Sequence, residues 1–80
     1  MNTQYTSTLT DFLFKSAWLT VIGNSIEYEK YTGVETGNPS GSTENVKKEI
    51  YKDGLDVIQF VNVYTYDIVN DILKITCTES

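Results

Sequence analysis

Residues 64–76 read YTYDIVNDILKIT, and the way this stretch folds back on itself decides the architecture of the chain. Two runs rich in Tyr, Ile, Val and Thr flank Asn70-Asp71, residue types that tolerate the positive φ of a tight hairpin turn. With Asn70 and Asp71 as a two-residue turn, Val69 faces Ile72, Ile68 faces Leu73 and Asp67 faces Lys74. Tyr66 then faces Ile75, Thr65 faces Thr76 and Tyr64 faces Cys77. This register gathers Tyr64, Tyr66, Ile68, Leu73, Ile75 and Cys77 on one apolar side. Thr65, Asp67, Lys74 and Thr76 share the other, where the Asp67–Lys74 and Thr65–Thr76 matches are each worth about 0.2–1 kcal/mol. The apolar side of the hairpin is expected to be framework, leaving its polar side and free edge for any binding.

Upstream, VKKEIYKDGLDVIQFVNVY (46–64) is built around a second turn signal, Asp53-Gly54. An odd-numbered loop sets Ile50 on the face of Ile58 and Phe60, whereas a two-residue loop sets it opposite Val57. The run from Val57 to Ile68 is long for one strand, and Asn62 interrupts one face, so a bulge or bend is expected near Asn62. In WLTVIGNSIEYEKY (18–31), Gly23-Asn24 between two β-prone runs is a type II′ hairpin signal. It pairs Ile22 with Ser25, Val21 with Ile26, Leu19 with Tyr28 and Ala17 with Lys30, and leaves Trp18, Thr20, Glu27 and Glu29 on the opposite, mixed face.

Before it, STLTDFLFKSAW (7–18) has Leu9, Phe12, Leu13 and Ser16 or Ala17 at helical spacing behind Ser and Thr capping residues, which predicts one short amphipathic helix. Between the hairpins lies TGVETGNPSGSTEN (32–45), with three of the five glycines and the sole proline. It reads as a long loop, either a mobile functional element or a tolerated surface excursion. The expected fold is mainly β: a five-stranded antiparallel meander or small barrel with one short N-terminal helix, forming a single domain over residues 1–80.

The SAWLTVI segment after the helix, the IYKDG turn and the YTYDIVNDILKIT closing hairpin together resemble part of a lipocalin-like small β-barrel. Such a resemblance, covering about half the chain, implies a meandering antiparallel barrel whose apolar interior can hold a small ligand. Eighty residues cannot supply eight ordinary strands. A half-barrel closed by a second copy, or a small filled barrel, is the form this length allows.

Composition narrows the chemistry. Six Lys/Arg against eleven Asp/Glu give a net charge of −5, the opposite of a nucleic-acid-binding footprint, so long-range attraction favours basic partners. With no histidine and one cysteine, imidazole acid–base catalysis, His-based triads and most zinc sites are excluded, and no phosphate-binding glycine loop occurs. No enzymatic activity, metal or cofactor is expected. No apolar run is long enough to cross a membrane, and the first residues lack a basic signal-peptide start, so a cytoplasmic location is expected.

Glu27 and Glu29, two apart on a predicted strand, point to one face. Asp53, Asp56, Asp67 and Asp71 flank turns, where Asp is common for backbone reasons. Tyrosines on predicted strands, Tyr31 and Tyr51 among them, suit a recognition surface or simple packing. Cys77 reads as a small buried hydrophobe. Trp18, Glu27, Glu29, Tyr31, Glu35 and Tyr51 are therefore the candidate binding residues. The expectation they support is a non-catalytic interaction protein with a basic protein partner. One form of it is a phage or mobile-element inhibitor that competes with nucleic acid for a basic groove. The alternative is small-molecule binding in a barrel or at a dimer seam, and exposed sheet edges make a homodimer physically open.

Overall fold

The computed structural model of the protein describes residues 1–7 and 15–79. Its elements are β1 (Asn2–Ser7), α1 (Lys15–Trp18), β2 (Ser25–Lys30), β3 (Val46–Lys52), β4 (Ile58–Asp67) and β5 (Ile72–Glu79). Strand β4, IQFVNVYTYD, is dense in β-branched and aromatic residues, which fit a pleated, half-buried surface, and it occupies the middle of the sheet. The spatial order is β1-β5-β4-β3-β2.

Four strands form the expected antiparallel meander, but the fifth is a surprise. β1 lies parallel to β5, from Asn2 beside Ile72 to Ser7 beside Cys77, so the sheet is mixed and it does not close into a barrel. The Asn2 amide donates to the Asp71 carbonyl at 2.8 Å, and the terminal amine lies 3.6 Å from the Asp71 carboxylate. These contacts fix where β1 starts.

The hairpin predicted over residues 17–30 does not form. After α1 the chain keeps winding: Leu19 donates to the Lys15 carbonyl, Val21 to Trp18 and Asn24 to Val21. The Asn24 side chain also donates to the Trp18 carbonyl at 3.1 Å. Side-chain capping offers these residues turns in place of a strand ladder. β2 instead pairs with β3, Ile26 opposite Tyr51 and Tyr28 opposite Glu49. Leu19, Val21 and Ile22, expected inward, are exposed. Of the predicted helix only its last residues are described, as α1; the part over 8–14 lies outside the described residues.

The β4–β5 hairpin forms with a wider turn. Tyr66 faces Leu73, Tyr64 faces Ile75 and Asn62 faces Cys77, which is a slip of two residues from the expected register. Because side chains alternate with a period of two, this slip preserves both faces while changing every partner. The cause is Asp67, whose carboxylate accepts from the Asn70 amide at 3.1 Å and its side chain at 2.8 Å, while Asp71 alone takes positive φ. This local cap widens the loop to 68–71, pushes Ile68 and Val69 out to solvent, and removes the expected Asp67–Lys74 and Thr65–Thr76 pairs.

The expected irregularity near Asn62 sits elsewhere. The ladder shifts between Tyr51 and Lys52, so Tyr51 faces Phe60, Lys52 faces Ile58 and Gln59 is the extra residue. Ile50 therefore faces Val61, and neither predicted register survives intact. Asn62 points inward and is 3% exposed.

One face of the sheet carries the core: Tyr51, Cys77 and Ile75 are buried, joined by Phe60, Tyr64 and Tyr66. Trp18 covers one end, with ring centroids 5.9 Å from Tyr51 and 5.7 Å from Phe60, both edge-on. Tyr31 covers the other, edge-on to Tyr66 at 6.2 Å. The opposite face holds Glu27, Glu29, Lys48, Ile50, Val61 and Val63.

Segment 32–45 is a built structure, neither of the two loop types expected. β4 runs past the end of β3, which would leave Tyr64 and Tyr66 with unpaired edge groups. The segment and the residue before it supply partners: Tyr66 donates its amide to the Gly37 carbonyl at 2.7 Å, and the Tyr31 hydroxyl donates to the Tyr64 carbonyl. Asn38 is the pin. It is fully buried, donates to the Gly33 carbonyl at 2.9 Å and the Ser42 carbonyl at 3.3 Å, and accepts from Asn45 at 2.9 Å. Gly37 has φ 91°, and a Cβ there would stand 2.7 Å from the Tyr31 hydroxyl, so only glycine fits.

Candidate functional site

The site is built at the end of the sheet where β2 starts and β3 stops. Trp18 is its anchor: the indole N–H donates to the Ser25 carbonyl at 3.0 Å and the Lys52 carbonyl at 3.1 Å, two residues that face each other across the β2–β3 pair. A tryptophan buries a large apolar ring and still satisfies its N–H at a backbone edge. Trp18 is half-buried, so its role is to fix the loops around it.

Two loops meet above this anchor. Gly23, at φ 90°, lies so close to Gly54 that an added Cβ would stand 3.0 Å from the Gly54 Cα. On either side of this contact stand Ile22 and Leu55, which are 99% and 85% exposed, with Val21 next to Ile22 and Val57 beyond Asp56 also exposed. Loop 53–57 holds its shape through Asp53, whose Oδ1 accepts from the amides of Leu55 at 2.9 Å and Val57 at 3.1 Å. Its Oδ2 accepts from the Gln59 side chain at 2.9 Å. The Val57 amide first, then Leu55 and Gln59, hold the Asp53 carboxyl below the usual carboxylate range. Leu55 is thus an aliphatic side chain held in water on an ordered turn.

Carboxylates border this apolar tip. Lys52 lies 3.0 Å from Glu27 and 3.4 Å from Asp56, one cation between two anions, and these neighbours raise its pKa, Glu27 foremost. Glu29 continues the acidic row along β2 on the same face as Glu27, as their spacing predicts, and both are exposed. Among the described residues no strand pairs with the outer side of β2.

Of the candidate residues, Trp18, Glu27 and Glu29 fall in or beside this region. Tyr31 and Tyr51 do not contribute a surface: they are 3% and 2% exposed and form the core. Glu35 sits at the opposite end, on segment 32–45, paired with Lys47 at 2.8 Å. Ile22 and Leu55 escaped the sequence reading because Ile22 fitted a predicted strand. The one signal for Leu55 was a large aliphatic residue immediately after a turn dipeptide.

A second polar cluster lies on the core face. Tyr64 donates to the Glu49 carboxylate at 2.6 Å, and the Asn62 amide nitrogen donates to Glu49 at 3.2 Å and to the Tyr51 hydroxyl at 3.4 Å. These bonds compensate burial of a charge that would otherwise be costly. Burial first, then the Glu49 charge, pushes the Tyr51 phenol up to about 12, and burial raises Tyr64 as well, aided by its bond to Glu49. Among the described residues the buried Asn62 Oδ1 has no donor. Lys15 stands 4.9 Å over the Tyr28 ring at the border of this cluster. No group of side chains among the described residues is arranged to hold a metal ion.

No protein-family model matches the chain, and neither a curated protein nor a solved structure does. The lipocalin-like resemblance accordingly rests on the quoted sequence segments alone.

Proposed function

We propose that this chain is a non-catalytic interaction protein that binds a basic protein partner through the apolar tip at Ile22 and Leu55 and the carboxylates beside it. The observation that carries this reading is the tip itself. Large aliphatic side chains held exposed on two mutually braced loops lose little further freedom on binding, and such patches with a polar rim are typical of interaction sites. The rim is acidic, with Glu27 and Asp56 against Lys52, on a chain of net charge −5. That combination supports a partner with an apolar pocket set in basic surroundings. Competition with nucleic acid for a basic groove, by an inhibitor of the kind carried by phage and mobile elements, is the form of this function that the charge favours. Small-molecule binding has less support, because the open sheet offers no barrel interior.

The test is capture from a host lysate at low salt by the wild-type chain and by Ile22→Ser/Leu55→Ser. These exposed positions leave the fold unaffected, which circular dichroism checks. The expected result is a protein released by raised salt and lost in the double variant. No salt-sensitive capture, or capture equal with both chains, would overturn the reading.

A further inference from the structure

The outer edge of β2 carries more information than its charge. Residues two apart on a strand stand about 6.7 Å apart on one face, so Glu27 and Glu29 form a short row of carboxylates at the very border of the sheet. Glu27 lies 3.0 Å from Lys52 and Glu29 stands opposite Lys48 on the inward side of that row, with the outward side open among the described residues. An added strand would set alternate side chains directly opposite them, with Cβ atoms about 4.5–5.5 Å away.

A second copy of this chain is a poor occupant. Two-fold antiparallel pairing that keeps the faces continuous and overlaps most of the strand sets Glu27 of one copy against Glu29 of the other, or Glu27 against Glu27. Like charges directly opposite are destabilising. A strand with cations at alternate positions suits the same row. The cations of this edge are already engaged: Lys15 lies over the Tyr28 ring, and Lys30 is paired with Glu44 at 3.3 Å. Trp18 secures the Ser25 carbonyl at the strand's start, which holds the edge in register.

We propose that β2 accepts an extended segment of the basic partner as a sixth strand, with Lys or Arg at alternate positions opposite Glu27 and Glu29. This inference rests on the interaction reading above and names how the partner docks: main-chain hydrogen bonds supply the binding, and the two carboxylates select the sequence.

The probe is a blocked synthetic peptide of the length of β2, alternating Lys and Val, added to the full isotope-labelled chain. The amides of Ser25–Lys30 are expected to show the largest shifts and gain protection from exchange. N-methylation of every second peptide nitrogen is expected to weaken binding at least about tenfold in one phase and to be harmless in the other, because only alternate nitrogens face the edge. Glu27→Gln/Glu29→Gln is expected to cost about tenfold as well. Equal effects of the two N-methylation phases, or shifts centred elsewhere, would overturn strand addition. If a salt-released partner is still captured through Ile22 and Leu55, the interaction reading stands without it; if neither peptide nor partner binds, both fall.

Discussion

Trp18 and Asn38 show how single side chains organise this small domain. The Trp18 indole closes the open end of the β2–β3 pair by serving two facing carbonyls with one N–H. Trp18→Phe keeps a ring against Tyr51 and Phe60 but removes that donor, and should cost about 1–2 kcal/mol. Urea denaturation should show a lower midpoint at unchanged slope. Asn38 satisfies two carbonyls and receives Asn45 while fully buried, so Asn38→Ala should cost about 2 kcal/mol. Its particular signature is distant: the Tyr66 amide, held by Gly37, should exchange faster once the segment loosens.

At the scale of elements, alternation was legible and registration was not. β4 and β5 were identified from their residue types, and Tyr64, Tyr66, Leu73, Ile75 and Cys77 share a face as read. Their partners changed because Asp67 found a local bond to Asn70 that alternation cannot report. The segment 17–22 is apolar and β-branched enough for a strand, yet Asn24 and the anchored Trp18 favour turns. β1 was missed because NTQYTS has neither an apolar face nor a turn beside it, and a parallel partner is remote in sequence. The acidic β2 edge also carries a prediction. Replacing its carboxylates, as Glu27→Val/Glu29→Val, removes the like-charge barrier to edge pairing, and sedimentation at two concentrations should reveal self-association absent from the wild type.

Across the whole molecule, the core is aromatic and polar at once. Tyr51 is buried and Tyr64 half-buried beside Glu49, and their phenols are held protonated beyond the normal value near 10. The unfolded chain ionises these groups near pH 10, whereas the native state retains the protons. The stabilisation is therefore full below pH 10 and falls as pH rises toward about 12. Absorbance should show tyrosinate from Tyr51 and Tyr64 only together with loss of circular dichroism. Their ionisation near the normal value of about 10 with the fold intact would contradict the packing of this cluster.

For anyone attaching a label or affinity tag, the strap formed by residues 32–45 reverses the choice that composition invites. Its glycines, serines and proline look like a harmless insertion point, but an insertion near Asn38 would cut the brace that completes the edge of β4. The tip at Ile68-Val69, exposed and capped only by Asp67, is the better attachment point. It lies at the opposite end of the strands from Ile22 and Leu55, so a dye placed there reports on binding without touching it.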